Sequence, residues 1–204
     1  AGECDESQAS VSTVAPDGTV YVAFMNSQNQ ALWEPGEQFD DQYLVVKSTN
    51  GGASWSTPAF AAGLEDGSRD YPINVDGRQT LTGYQVRVWG AGNIVASPID
   101  GKLYLVYSDN SHGIHDSANP VTNSDVFITT SSNGVTWTTP TVVDSGAGDQ
   151  WFPWADVNPT NGKVGVLYHD RGSSNGPTYN TALAEGQPGS FVKTTMNTAP
   201  SNPT

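Results

Sequence analysis

A short sequence pattern occurs three times along the chain and constrains the possible fold more than any other feature. The segment PDGTVYVAF (16–24) returns as IDGKLYLVY (99–107) and again as TNGKVGVLY (160–168). Each copy starts with Asp-Gly or Asn-Gly, which favours a two-residue hairpin turn because both central residues need positive φ. The run that follows is apolar on both faces, which is typical of a strand covered on both sides.

A second pattern repeats in step with the first. The segment YLVVKSTNGGASWSTP (43–58) aligns with DVFITTSSNGVTWTTP (125–140), and each follows its Asp-Gly turn at the same distance to within one residue. The repeating unit is strand, turn, strand, loop, strand, Gly-rich turn and strand, which predicts a four-stranded antiparallel meander. A third copy starts at WFPWADVNP (151–159) and lacks the Trp-bearing turn.

Four-stranded units that repeat and are apolar on both faces predict the blades of a β-propeller, because each blade needs a neighbour on both sides. We predict blade one at residues 7–62, blade two at 88–144 and blade three at 150–198, with an insertion at 63–87. Propellers typically have about 4–8 blades. We therefore expect an all-β chain that forms about half of a ring of about six blades.

The predicted half-ring needs a partner, which is the remainder of the propeller. This remainder comes from the same polypeptide or from another chain. Without it, two apolar blade faces would be exposed to water, so the isolated chain is not expected to be a stable soluble monomer.

Charge and composition exclude several classes of partner. The 204 residues include 8 Lys and Arg against 21 Asp and Glu, which gives a formal net charge of −13. This acidic balance carries no basic footprint for nucleic acid and disfavours binding to anionic membranes. No apolar run approaches the length of a membrane span. Cys4 is the only cysteine, so it is either a tolerated thiol or a bridge to a partner chain or to sequence missing from this chain.

The Gly-rich octet STNGGASW (48–55) and its second copy TSSNGVTW (130–137) resemble the Asp-box, Ser/Thr-x-Asp-x-Gly-x-Thr/Ser-Trp, of sialidases and related propellers. Both copies depart from it at the acidic position. We interpret the motif as structural: a short polar side chain accepts hydrogen bonds from the turn, glycine permits positive φ, and the Trp is buried at equivalent positions in the two blades. The matching residues are Ser48, Asn50, Gly52, Ser54, Trp55, Thr130, Ser132, Gly134, Thr136 and Trp137.

Longer segments carry the resemblance further. GAGNIVASPIDGKLYLVYSDN (90–110), SDVFITTSSNGVTW (124–137) and DQWFPWADVNPTNGKVGVLYHDR (149–171) are similar to bacterial, non-viral sialidase-like propellers with BNR repeats. The likeness covers most of residues 7–195. It implies a secreted or cell-surface protein related to carbohydrate.

For catalysis, the resemblance implies three arginines that clamp a substrate carboxylate, a Tyr nucleophile activated by a Glu, and an Asp general acid. The chain lacks an Arg-Ile-Pro motif, and none of its glutamates forms an obvious pair with a strand Tyr. We therefore assign no catalytic residue. The four arginines are Arg69, Arg78, Arg87 and Arg171, and the first three lie in the insertion.

Two segments of blade three supply candidates for ligand binding. The segment YHDRG (168–172) follows an inner strand and can bind an anionic or polyhydroxyl ligand, or it can hold an Asp–Arg pair that fixes the loop. The aromatic residues of WFPW (151–154) can stack on sugar rings or belong to the core between blades. The candidates are Trp151, Trp154, His169, Asp170 and Arg171.

The loop SDNSHGIHDSANPVTNSD (108–125) is rich in oxygen ligands, which suit calcium. Its two histidines, His112 and His115, suggest zinc as an alternative, and a solvated loop without metal is a third possibility. No cofactor is required for the fold that we predict. The candidate calcium ligands are Asp109, Asp116 and Asp125.

Three functions remain open at this stage. The first, which we predict, is an extracellular binding or scaffold propeller that recognises a glycan or a protein. The second is a glycoside hydrolase of exo-sialidase type, seen as an incomplete chain, and it rests on the family resemblance alone. The third is a structural subunit that assembles with copies of itself. We expect the chain by itself not to hydrolyse a sialoside.

Overall fold

The computed structural model confirms the all-β fold. It describes residues 4–28, 41–65, 69–75, 77–116, 118–173 and 176–203. No helix lies in these ranges, so nothing within them is long and apolar enough to cross a membrane as a helix.

Three antiparallel sheets of four strands follow one another along the chain, and we call them blades one, two and three. Blade one contains β1 (Cys4–Val14), β2 (Val20–Gln28), β3 (Asp41–Ser48) and β4 (Ala59–Leu64). Blade two contains β7 (Asn93–Ala96), β8 (Leu103–Asp109), β9 (Asp125–Ser131) and β10 (Thr141–Val142). Blade three contains β11 (Gln150–Val157), β12 (Val164–Asp170), β13 (Asn180–Gly186) and β14 (Val192–Thr195).

Within each blade, consecutive strands are neighbours, as the repeat predicts. The insertion between blades one and two adds a small hairpin of β5 (Ile73–Val75) and β6 (Arg78–Gln79). The first strands of the blades, β1, β7 and β11, pack successively against one another. This is the arrangement of inner strands in a propeller, and it places three blades of a ring side by side.

The Asp-Gly turns differ from the expected two-residue type. In blade two, Ser97 N donates to Lys102 O over 2.8 Å and Gly101 N donates to Ser97 O over 2.9 Å, so the loop has several residues. Gly101 has positive φ, whereas Asp100 does not. The two-residue prediction is therefore wrong, because the hairpin uses a single left-handed residue, which is typical of the longer hairpin loops.

Two apolar layers hold the blades together. The layer between blades one and two contains Tyr21 and Met25 from β2 and Leu105 from β8. The layer between blades two and three contains Val106 from β8 and Val166 from β12. All seven residues of β8 are buried, because alternate side chains enter opposite layers.

The Gly-rich turn of blade one is held by its own side chains. Ser48 Oγ accepts a hydrogen bond from Gly52 N over 2.9 Å. Asn50 Oδ1 accepts one from Ser54 N over 3.0 Å, and Asn50 Nδ2 donates to Ser54 Oγ over 2.8 Å. The short amide side chain at the acidic position therefore ties the turn together.

In blade two, the same contacts are made one position away from the residues that the sequence alignment assigned. Ser131 Oγ accepts from Gly134 N over 2.8 Å, and Asn133 Oδ1 accepts from Thr136 N over 2.9 Å. Ser131 and Asn133 therefore fill the roles that were predicted for Thr130 and Ser132. This turn is one residue shorter than that of blade one, so its capping side chains lie closer to the Trp in sequence.

The two tryptophans that end these turns have different environments, so the prediction of equivalent burial is wrong. Trp137 is partly buried against the layer between blades one and two, and a Cβ on Gly134 beside it would overlap the ring of Tyr21. Trp55 is 46% exposed. Trp137 packs toward blade one, whereas no described blade precedes the one that carries Trp55.

We expect Trp137→Ala to lower the free energy of unfolding by about 2 kcal/mol, because it removes a large apolar side chain from a layer between blades. The matched variant Trp55→Ala should change it by less than about 1 kcal/mol, because the indole is already half in water. Denaturant unfolding of both variants measures the difference. Equal losses would show that Trp55 is also packed in solution.

Candidate functional site

The connections that follow β4, β8, β10 and β12 all emerge at the same end of the blades, because antiparallel meanders alternate direction. We call this end the loop face, and its described residues are 65, 69–75, 77–92, 110–116, 118–124, 143–149, 171–173 and 176–179. It lies opposite the Gly-rich turns. The buried charged side chains Asp70, Asp149 and Arg171 lie at this end.

Hydrogen bonds tie the loops of this face to one another. Thr82 N donates to Thr122 Oγ1 over 3.0 Å, and Thr122 N donates to Thr82 Oγ1 over 2.8 Å. Ser124 N donates to Asp149 Oδ1 over 3.0 Å. The insertion, the β8–β9 loop and the connection into blade three therefore form one rigid surface.

Arg171 lies at the centre of this network and is a structural residue. Its side chain is buried, and Nη1 donates to Asp149 Oδ2 over 2.7 Å and to Thr82 O over 2.8 Å. Nε and Nη2 both donate to Gly176 O, and the guanidinium stacks 4.0 Å from the centre of the Tyr84 ring. The geometry does not support the prediction that Arg171 binds a ligand, because its donors are already used inside the protein.

Two further ligand candidates are also buried. Trp151 packs in a cluster with Tyr84 and other apolar side chains of the insertion, so its ring is not available for stacking on a sugar. Asp170 accepts a hydrogen bond from Gly172 N over 2.9 Å and forms an ion pair with Lys193 Nζ over 2.6 Å. The Asp–Arg pair foreseen in the sequence uses Asp149 instead of Asp170.

The remaining two candidates are at least partly accessible. His169 is partly buried against the rings of Trp151 and Tyr179, and burial lowers the pKa of its imidazole. Trp154 is 57% exposed, on the face of blade three that points away from blade two. Binding by these two side chains stays a prediction.

The insertion and the β8–β9 loop bring together Glu65, Asp70 and His115, which we call the acid–imidazole cluster. One ligand atom from each side chain lies within 4.8 Å of the others. His115 Nδ1 is hydrogen-bonded to Asp70 Oδ1 and lies 3.9 Å from Glu65 Oε2. Burial by itself would lower the pKa of His115, but the bond to Asp70 and the nearby carboxylates outweigh it and raise the pKa.

The three predicted calcium ligands do not converge. Asp109 accepts a hydrogen bond from Glu65 N over 2.6 Å, and burial raises its pKa to about 7. Asp125 is paired with His112 Nδ1 over 2.6 Å, and Asp116 is exposed. Asp109 and Asp125 are paired across β8 and β9, but their carboxylates have different hydrogen-bond partners. The structure groups Glu65 and Asp70 with His115 instead.

An exposed arginine on the same face is held by an aromatic ring. The Arg87 guanidinium stacks 4.5 Å from the centre of the Trp89 ring. Trp89 packs against the layer between blades one and two, and its carbonyl accepts a hydrogen bond from Ser108 Oγ over 3.3 Å. The ring is therefore a fixed platform that restrains a solvent-facing positive charge.

No family model and no curated protein matches the sequence, whereas solved structures match the fold. The NanB sialidase from Streptococcus pneumoniae superimposes with a TM-score of 0.60 at 8% identity, over 96% of this chain and 45% of that one. A point mutant of the same sialidase gives a TM-score of 0.58 at 9% identity, over 95% of this chain and 44% of that one.

These similarities define a sialidase-like β-propeller fold. At such low identity, they show the fold alone. The chain spans less than half the length of these sialidases.

Proposed function

We propose that this chain forms part of an extracellular propeller that binds an acidic carbohydrate through its loop face. The observation that carries the proposal is the exposed Arg87 guanidinium on the Trp89 ring. The chain itself is proposed to act as a binding module. Hydrolysis by a completed ring is the alternative.

The chemistry of Arg87 suits a sugar carboxylate. A guanidinium donates two parallel hydrogen bonds to a carboxylate, which gives both energy and direction. The Trp89 ring holds the guanidinium in place, so less conformational entropy is lost when the ligand binds. Sialidase neighbours in fold support a carboxylate-bearing sugar such as sialic acid as the first ligand to test.

The burial of Arg171 supports binding rather than hydrolysis as the function of this chain. An exo-sialidase clamp would use several arginines that reach the same carboxylate, and Arg171 is committed to Asp149 and Thr82 inside the loop face. Any further arginine of a clamp would have to come from the insertion or from blades outside this chain. We therefore propose that this chain binds a carbohydrate, and that catalysis would require a completed ring.

Further blades at both ends belong to the same proposal. Blade one exposes Val14, Trp55 and Phe60 on one face, and blade three exposes Trp154 and Leu167 on the other. These positions repeat those that are buried between blades one and two. The proposed occupant of each face is therefore another four-stranded blade of the same ring.

Arg87→Ala should weaken the binding of sialyllactose about tenfold or more, because a charge-assisted hydrogen-bond pair is lost. Isothermal titration at fixed salt measures this. Arg78→Ala is the matched control, since it removes an exposed arginine from the same insertion and should change the affinity less than twofold. Neutral lactose should bind wild type and Arg87→Ala equally.

Two results would count against the proposal. Equal affinity of wild type and Arg87→Ala for sialyllactose would remove Arg87 from the site. Release of a fluorescent group from a sialoside reporter by the chain alone would favour the hydrolase instead.

A further inference from the structure

We infer that Glu65, Asp70 and His115 form a binding site for a divalent transition-metal ion of the zinc type. The inference is independent of carbohydrate binding at Arg87. It rests on the donor atoms, their spacing and the way in which the fold holds them.

The donor set selects the class of ion. An imidazole nitrogen with two carboxylates is typical of zinc and neighbouring first-row metals, whereas calcium and magnesium prefer oxygen ligands throughout. The nitrogen of His115 is thus the atom that separates this site from the all-oxygen calcium site expected for the loop.

The spacing is close to that of a coordination sphere. Bonds of about 2.0–2.2 Å in a tetrahedral site place ligand atoms about 3.4 Å apart. His115 Nδ1 lies 3.9 Å from Glu65 Oε2, and it contacts Asp70 Oδ1 directly. An ion would replace the direct contact between His115 and Asp70, and the partly exposed Glu65 needs only a small side-chain movement to complete the set.

Two separate segments supply the ligands, and the surrounding structure fixes both. Asp70 is buried, and its backbone carbonyl accepts a hydrogen bond from Asn110 Nδ2. Asn110 Oδ1 in turn accepts from Asn123 N over 2.8 Å, which ties the cluster to the β8–β9 loop. The buried Asp109 holds the backbone of Glu65. A site positioned by such outer contacts binds metal with little reorganisation.

The cluster is also open on one side. The Glu65 side chain is 43% exposed, whereas that of Asp70 is 7% exposed. Three protein ligands leave at least one coordination position for water or for an oxygen of a bound molecule. The ion would therefore lie at the surface of the loop face and be accessible to solvent.

The experiment uses the tag-free chain, stripped with a chelator and titrated with zinc chloride. Wild type should bind one zinc ion per chain, and zinc should raise its thermal unfolding midpoint. His115→Ala should weaken zinc binding at least tenfold and abolish the thermal shift. Calcium chloride at the same concentrations should give no shift.

His112→Ala is the matched control. His112 also pairs with an aspartate of the same loop, at 2.6 Å, but it does not belong to the three-residue cluster. This variant should bind zinc within twofold of wild type. If His115→Ala does not fold, Glu65→Gln provides the second variant, because Glu65 is partly exposed and its loss should still weaken zinc binding several-fold.

Three outcomes would overturn the inference. They are the absence of zinc binding by wild type, unchanged zinc affinity in both His115→Ala and Glu65→Gln, and an equal loss of affinity in His112→Ala. A response to calcium that survives His115→Ala would likewise replace the proposed ion with an oxygen-ligated one at another position.

Discussion

Replacing Arg171 by Met is expected to lower the free energy of unfolding by about 3–5 kcal/mol, which is the usual cost of removing one partner from a buried ion pair. The aliphatic part of the side chain is retained, so the loss reports the guanidinium. Asp149, whose side chain is 0% exposed, would be left with an uncompensated charge inside the loop face. The carbonyls of Thr82 and Gly176 would also lose their donors.

A double-mutant cycle separates the ion pair from packing. The double variant Asp149→Leu/Arg171→Met removes both charges. Its loss of unfolding free energy should be smaller than the sum of the losses of the two single variants. Arg78→Ala is the control for a general effect of losing positive charge, because Arg78 is exposed. Denaturant unfolding gives the unfolding free energies of wild type, the two single variants, the double variant and Arg78→Ala. A loss below about 1 kcal/mol for Arg171→Met would show that the network is not essential to the fold.

Gly92→Ala is expected to cost about 4 kcal/mol or more and to reduce the yield of folded protein. A Cβ at this position would overlap the carbonyl oxygen of Val106 and lie 2.6 Å from its carbonyl carbon. These atoms belong to the backbone of β8, which is packed on both faces and cannot move aside. Gly92 N also donates to Tyr43 OH over 2.9 Å, which fixes the chain as it passes between blades one and two.

Gly63→Ala is the matched control for this variant. Gly63 is exposed, and the nearest atom to its added Cβ would be Phe60 Cζ at 3.9 Å. Its unfolding free energy should stay within about 0.5 kcal/mol of wild type. Circular dichroism and thermal unfolding measure the folded fraction and the stability of both variants. A Gly92→Ala protein as stable as Gly63→Ala would mean that the crossing at β8 is looser than the structure indicates.

The blades could be predicted from the sequence because the patterns that specify their strands and turns are local and repeated. Apolar runs such as LYLVY (103–107) specify a strand buried on both faces, and two spaced patterns specify the meander around it. Local detail was less predictable. The turn at Ser131 and Asn133 is one residue shorter than its counterpart, and a gapless alignment cannot show which serine caps it.

The loop face was harder to predict because its contacts join distant parts of the chain. His115 meets Asp70, which is 45 positions earlier, and no spacing rule links them. The acidity of LEDGSRD (64–70) was the available signal for that half of the cluster. Asp149 gave no signal at all, since its pairing with Arg171 depends on how the insertion folds over blade three.

The two end faces have a consequence for how copies of the chain would associate. The exposed face of blade one and that of blade three are different surfaces, so a contact that joins one to the other brings copies together head to tail. Contacts of this kind are heterologous: they close into a ring when the rotation between copies fits, and they extend into filaments when it does not. The angle between successive blades, and not the strength of the apolar contact, therefore decides between a discrete particle and an open polymer.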